Sequence, residues 1–292
     1  MIGTLARRAV PFFRDQYGRE RKRPIARAAH KPCPELWPDN GLHAAWLGHS
    51  TVLLKIDGFT ILTDPVFSER IGLNFGPLTV GMKRLVGPAL GSEEIPRPDL
   101  VLLSHAHMDH FDRPSLRMLE SPRTRVVTAA KTSDLLRAGN YSNVTELAWN
   151  ETAQAGEVSV RAFEVKHWGA RVQRDTYRGY NGYLIETPRY RVIFGGDTAL
   201  TDSFKQLRTA RGVDLAIMPI GAYNPWVRVH CTPEQAVRMA NDAGAESILP
   251  VHHQTFQLSQ EPLLEPIERL ASALAGSPER LALREIGQEL HR

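Results

Sequence analysis

Cysteine is scarce in this 292-residue chain: only Cys33 and Cys231 occur, far apart and outside any CxxC pair. That excludes a disulfide scaffold and makes a reducing cytoplasm the expected location. Long apolar runs are missing too. None approaches the ~18 residues of a membrane-spanning helix, which excludes a transmembrane enzyme. No internal repeat recurs at a period of about 20–50 residues, so repeat architectures are set aside. What remains, at 42% hydrophobic and 23% charged residues, is the composition of a soluble globular protein with room for a sizeable core.

The net charge of +4 is small but unevenly placed. Residues 1–31 hold nine Lys/Arg against Asp15 and Glu20, a local balance of +7. The other 261 residues hold 27 basic and 30 acidic side chains, a balance of −3. Residues 1–40 therefore read as a basic N-terminal arm. Its apolar stretch Ala9-Val10-Pro11-Phe12-Phe13 is too short for a secretory signal. With Phe12, Phe13 and Tyr17 among its cations, the arm suits a peripheral contact with an anionic membrane; the plainer reading is a solvated terminal segment. An acidic body without an interleaved basic–aromatic stripe argues against nucleic acid as partner.

From 42 to 56 the chain reads as extended, and Asp57-Gly58 joins it to the run Phe59–Thr63 as a hairpin. Residues 66–98, with five glycines, read as a long irregular loop. Strands are expected at 99–104, 125–129, 158–165, 182–186, 190–194, 213–219 and 247–251. Helices are expected at 113–120, from Ser133 to Ala138, from the Thr232-Pro233-Glu234-Gln235 start to Gly244, and at 261–274. Many strands with helices between the later ones predict two packed sheets flanked by helices, an α/β (α+β) arrangement.

The sharpest feature is Ser104-His105-Ala106-His107-Met108-Asp109-His110, directly after an apolar strand. In extended backbone His105 and His107 project the same way. Three imidazoles and a carboxylate in one short loop are donors that suit Zn²⁺, with Mn²⁺ or Fe²⁺ as alternatives, and burying them unpartnered would be costly. Three further candidates end expected strands: His167, Asp197 after Gly195-Gly196, and the His252/His253 pair. Sites in α/β sheets collect at such carboxyl ends.

An HxHxDH cluster followed by a strand-end His, Asp and His resembles the metallo-β-lactamase superfamily over roughly residues 42–290. The resemblance implies a four-layer αββα sandwich, a single hydrolase domain over 41–292, and two Zn²⁺ per chain between the sheets. His105, His107 and His167 would hold one ion. Asp109, His110 and His252 would hold the other, with Asp197 bridging. Asp64 would support the ligand histidines from behind, and His49 would do likewise.

Within the superfamily, Phe111-Asp112 stands where glyoxalase-II-like members carry Gly-Gly. Gly48-His49-Ser50, Asp64-Pro65, His167-Trp168, Gly196-Asp197-Thr198, Gly221-Ala222-Tyr223 and His252 before Thr255-Phe256 look like the branch containing N-acyl-phosphatidylethanolamine-hydrolysing phospholipase D. The expected activity is phosphodiester hydrolysis of lipids of that type; hydrolysis of lactones or amides is the alternative. Asp109 and Asp197 would orient the attacking water, and His230 would bind phosphate or protonate the leaving group. Tyr223, Phe75, Leu78 and Trp226 are the expected substrate contacts.

Overall fold

The computed structural model of the protein describes Glu20, residues 23–75 and residues 78–292, with backbone alone at 74, 75 and 78. Most of the basic arm, including Phe12, Phe13 and Tyr17, lies outside the described residues, as do the side chains of Phe75 and Leu78.

β1 (Leu42–Gly48), β2 (Thr51–Ile56) and β3 (Phe59–Thr63) form an antiparallel meander. β4 (Arg70–Phe75) and β5 (Leu78–Lys83) pair as a separate hairpin. β6 (Leu100–Leu103), α1 (Arg113–Met118), β7 (Arg125–Ala129) and β8 (Asn143–Leu147) extend the first sheet in parallel, with α1 in the crossover from β6 to β7.

The second sheet starts with antiparallel β9 (Thr152–Ala155), β10 (Val158–Phe163), β11 (Gly182–Glu186) and β12 (Arg191–Phe194). It continues in parallel through β13 (Val213–Pro219), α2 (Pro233–Ala243) and β14 (Ala245–Val251). After α3 (Glu265–Ala273), β15 (Glu289–His291) returns to pair with β1. The sheet orders are β15-β1-β2-β3-β6-β7-β8 and β14-β13-β12-β11-β10-β9.

Strand alternation builds the layers. Leu215, Ile217, Leu249, Val251, Tyr183, Ile185, Val192 and Phe194 join the core shared with the first sheet. Their neighbours Ala216, Met218, Ile248, Leu184 and Ile193 join a second core with Ala236, Met239 and Ala240 of α2 and Ile267 and Leu270 of α3. A sheet buried on both faces needs apolar side chains at consecutive positions, and these strands supply them. Two packed sheets with helices outside are the αββα sandwich. Among the described residues no helix is long and apolar enough to cross a membrane.

The layout brings one end of each sheet together. β6 runs parallel to β3, and β14 and β13 parallel to β12, so the chain leaves all five strands at a common end. β10 joins them because two antiparallel steps separate it from β12. The turn from β1 to β2 lies at the same end, since Val52 pairs with Thr63.

Three expectations need correction. The run 42–56 is two strands, broken at His49-Ser50, where Gly48 and His49 take φ of +121° and +52°. The loop 66–98 is not irregular throughout, because it contains β4–β5; facing glycines, Gly72 opposite Gly81, conceal the alternation. The expected helix from Ser133 is a single 3-10 turn, Ser133–Leu135, because the Thr132 hydroxyl donates to Ala129 O at 2.6 Å and caps nothing. In addition, β8, β9 and β15 are short and too polar to announce themselves.

The hairpin carries its apolar pairs outward. Cross-strand Ile71 and Met82 are buried with Val66 and Phe256. The next pair on that face, Leu73 and Val80, is 49% and 41% exposed.

α2 begins with a capping box: the Thr232 hydroxyl accepts from Gln235 N, and the Gln235 side chain accepts from Thr232 N. It ends at Gly244 in the left-handed conformation, φ +74°. Removing the cap orphans a backbone donor at a packed helix. Thr232→Ala is expected to lower unfolding free energy by about 1 kcal/mol in a denaturant titration.

Candidate metal centre

Every ligand-type side chain named above stands at the common end of the two sheets. Asp64 follows β3, and His105, His107, Asp109 and His110 follow β6. His167, Asp197 and His252 follow β10, β12 and β14, while His49 occupies the β1–β2 turn. Three of these positions, His49 (φ +52°), Asp64 (φ +30°) and His252 (φ +63°), are left-handed although none is glycine. Such backbone is costly for a side-chain-bearing residue and persists where surroundings impose it, commonly at functional sites. Hydrogen bonds impose it here: His252 N donates to His49 O at 3.0 Å, and His49 N donates to Thr255 Oγ1 at 2.6 Å.

The centre is the Asp197 carboxylate, 2% exposed. Its Oδ2 lies 3.1 Å from His110 Nε2, 3.2 Å from His252 Nε2, 3.7 Å from His167 Nε2, 3.8 Å from His230 Nδ1 and 4.0 Å from His105 Nε2. Around it the donors divide into two quartets whose atoms all lie within 4.8 Å of one another. One is His105, His107, His167 and Asp197; the other is His49, Asp109, His110 and His252. Asp197 adjoins both, because two of its nearest nitrogens belong to the second quartet. Gly196, at φ +56°, permits this approach: a Cβ there would come within 2.8 Å of Asn181 O and Ser104 Cβ.

Residues behind the quartets aim them. Asp64, fully buried, accepts from His110 Nδ1 at 2.6 Å, Ser104 Oγ at 2.5 Å and Ser104 N at 2.7 Å. A proton fixed on His110 Nδ1 leaves Nε2 to face the cluster. His167 Nδ1 bonds Val229 O at 2.9 Å and is fixed in the same sense. His49 Nε2 bonds Asp109 Oδ2 at 3.1 Å. Burial pushes the His49 imidazole down to about 3, so it is a neutral N–H donor that orients the carboxylate. His253 is aimed elsewhere, stacked on Trp46 with ring centroids 4.5 Å apart, so His252 alone of the pair faces the site.

Other expected contacts are placed as follows. His230, 8% exposed, points Nδ1 towards Asp197 without a hydrogen bond. Its turn also carries half-buried Trp226, whose carbonyl accepts from His230 N at 3.0 Å. Tyr223 is buried, and its hydroxyl donates to Glu265 Oε1 at 2.7 Å, which turns that hydroxyl to α3. Two residues that the motifs contain received no role from the sequence. Ser104 links Asp64 to His105, lying 2.9 Å from its Nδ1. Trp168, 42% exposed, has its ring 4.6 Å from that of His107 and 4.3 Å from that of His167. Its position next to His167 was the available signal.

The donor set fits divalent metal ions of the zinc type. Asp197 Oδ1, His110 Nε2, His252 Nε2 and His230 Nδ1 are buried without a directed hydrogen bond, which is unusual unless something else gathers them. Imidazole and carboxylate at this spacing are zinc-type ligands. His105, His107 and His167 would hold one ion, Asp109, His110 and His252 a second, and Asp197 lies between.

Titration couples to uptake. Burial alone would strip the proton from His252, but Asp197 and Asp109 outweigh it and hold the ring up to about 9. His110 is likewise opposed by burial and raised by the same carboxylates. Metal-stripped protein therefore keeps protons on both rings at pH 7, and uptake must expel them. Calorimetry in buffers of different ionisation enthalpy is expected to show proton release at pH 7, with affinity rising as pH rises. Asp64→Asn, whose amide tolerates the left-handed backbone, leaves one acceptor oxygen and a new N–H donor facing His110 Nδ1, Ser104 Oγ and Ser104 N, so these donors can no longer all be satisfied. It is expected to weaken metal binding by about 10–100-fold in competition with a chromophoric chelator.

Comparison with known proteins identifies the family and the fold. The profile described as "Beta-lactamase superfamily domain" matches residues 60–253. An uncharacterized protein of Mycobacterium tuberculosis is 36% identical over 240 residues, 80% of this chain and 64% of the relative. The mitochondrial N-acyl-phosphatidylethanolamine-hydrolyzing phospholipase D of Saccharomyces cerevisiae is 33% identical over 244 residues, 78% of this chain. The chain spans about half the length of that enzyme, 51%. Among solved structures, an isothiocyanate hydrolase from Delia radicum gut bacteria superposes with a TM-score of 0.68 at 16% identity, covering 85% of this chain and 98% of its own. That likeness speaks to the fold alone.

Proposed function

From a chain that belongs to the metallo-β-lactamase superfamily, we propose a hydrolase with two zinc ions that cleaves phosphodiesters of the N-acylphosphatidylethanolamine type, as a phospholipase D does. The observation that carries the two-ion part is the Asp197 carboxylate set between two quartets of donors. The phosphodiester part rests on the yeast relative named for that activity. Two bound ions supply Lewis acidity and a water made nucleophilic near neutral pH.

The chain's own residues supply the rest. Asp109, half-buried, is drawn well below the usual carboxylate range by His110, His252 and His49 against the opposing effect of desolvation. Asp197 is held well below that range by His110 and His252, again against burial. Both carboxylates are therefore acceptors at neutral pH, able to orient a water by its protons. Burial pushes His230 down to about 4, although Asp197 opposes it. A neutral imidazole there favours hydrogen-bond donation to a phosphate oxygen over service as the resting acid. Trp168 bounds the open side next to His107 and His167.

For the lipid tails, the support is the apolar stripe of β4–β5. It leaves the body at Ile71 and Met82 and is bare at Leu73 and Val80. Acyl chains laid along it would stay out of water while the phosphate reaches His230 and the metal-ligand cluster. The basic arm is proposed as the contact with anionic lipid surfaces.

The test is product analysis. Zinc-loaded protein in detergent with N-acylphosphatidylethanolamine should release phosphatidic acid and N-acylethanolamine, detected by mass spectrometry. Asp109→Asn should release neither, and His230→Ala should lower turnover about 10²–10³-fold. A fully metallated protein that leaves the lipid intact but opens lactones would move the assignment to carbon–oxygen bond hydrolysis.

A further inference from the structure

One guanidinium outside the ligand set grips the ligand loop at both ends. Arg171 Nη1 donates to Ala106 O at 3.0 Å and to Phe111 O at 2.7 Å. Those carbonyls bracket His107, Asp109 and His110. Within the bracket the backbone makes a single tight turn, with His110 N and Phe111 N both donating to His107 O, at 3.1 and 2.7 Å. Those bonds tie Phe111 and His110 to His107, and the shared donor adds a second tie that takes in Ala106, because moving either carbonyl by a few tenths of an ångström lengthens one of two bonds.

Arg171 can act as a brace because its own loop is held. Gly169 passes so close to the returning chain that a Cβ would come within 2.2 Å of Arg178 O and 2.4 Å of Gly179 O. Beyond this neck Arg178, buried, bonds Asp175 Oδ2 at 2.6 Å, both Asp134 carboxylate oxygens at 2.5 and 2.9 Å, and Lys131 O at 2.7 Å. Gly179 N donates to Ala130 O at 2.8 Å. The segment 168–180 is thus anchored on the loop after β7, and it projects one arginine back onto the loop after β6. Arg171 lies four residues beyond His167, so a donor of the first quartet stands at the entrance to the segment that carries the brace on the second.

Electrostatics alone would not place it there. Burial lowers the guanidinium to about 10, with Arg113 adding to the effect, yet it stays charged at neutral pH. A fixed cation next to a site that collects cations is unfavourable, so its return must come through position. Two planar N–H donors meeting two carbonyls is a role for which guanidinium is suited.

We propose that Arg171 is a positioning residue that sets the spacing of His107 against Asp109 and His110, and thereby the affinity and geometry of the Asp109–His110–His252 metal position. This rests on the two-metal reading above. It concerns metal binding and needs no particular substrate.

The experiment is a Co²⁺ titration of metal-stripped protein, read by visible absorption, which reports ligand geometry independently of turnover. Wild type, Arg171→Met, Arg171→Lys and the exposed neighbour Arg174→Met are compared. Wild type and Arg174→Met should take up two ions alike. Arg171→Met should bind one ion normally and the other at least about 10-fold more weakly, with altered bands. Arg171→Lys, which keeps a cationic donor but not the planar group, should recover only part of that loss. The stripped Arg171→Met and wild-type proteins should unfold within about 4 °C of each other. Should Arg171→Met not fold, Arg171→Gln, polar but too short for both carbonyls, is read by the same criteria. Unchanged affinities and bands would overturn the proposal, as would equal weakening of both ions with a large fall in unfolding temperature. Wild type taking up no Co²⁺ would instead sink the two-metal reading itself.

Discussion

Five imidazole nitrogens around one buried carboxylate oxygen form the constraint on which the site end of this protein depends. Left to themselves, buried lone pairs and partial charges at 3.1–4.0 Å from Asp197 Oδ2 would be poorly satisfied, and several make no directed hydrogen bond at all. The chain concentrates that unfavourable density where strands from two sheets end together. Around it are three non-glycine residues in left-handed backbone and a glycine where no Cβ fits. Stability is given up locally, and the interlocked cores of the two sheets supply it elsewhere.

Rigidity is concentrated behind the donors. Asp64, Ser104 and His110 form a sealed network in which every carboxylate bond runs to the loop after β6. Val229 O performs the equivalent service for His167, and the His49–Asp109 bond for the second quartet. The Asp64 and Val229 bonds fix which nitrogen of His110 and His167 faces inward, a choice the histidines would otherwise make individually, and the His49 bond orients the Asp109 carboxylate. The donors therefore stand already directed.

The sequence disclosed this end of the molecule better than any other part. HxHxDH sits in a stretch where apolar β6 must stop, and a strand-end position was readable for His167, Asp197 and His252. Adjacent histidines 252 and 253 could not be separated by pattern, because stacking on Trp46 decides it and that contact spans 207 positions. His49 was half visible: its position in a turn was hidden inside what reads as one extended run. The hairpin β4–β5 was hidden by its paired glycines. Tyr223 shows the opposite failure, since its place after Gly221 suggested an oxygen contact that Glu265 on α3 takes instead. What was missed depends on partners distant in sequence; what was found depends on neighbours.

One feature of the layout reaches beyond chemistry. His105, His107, Asp109 and His110 hang from the first sheet, whereas His167, Asp197 and His252 hang from the second. Any ion held among them is a rivet through both halves of the sandwich. Its binding energy then counts towards keeping the sheets together, by an amount that grows with the logarithm of free metal. The persistence of the folded protein in a cell would accordingly follow the supply of metal, and starvation would cost the cell the molecule as well as the reaction.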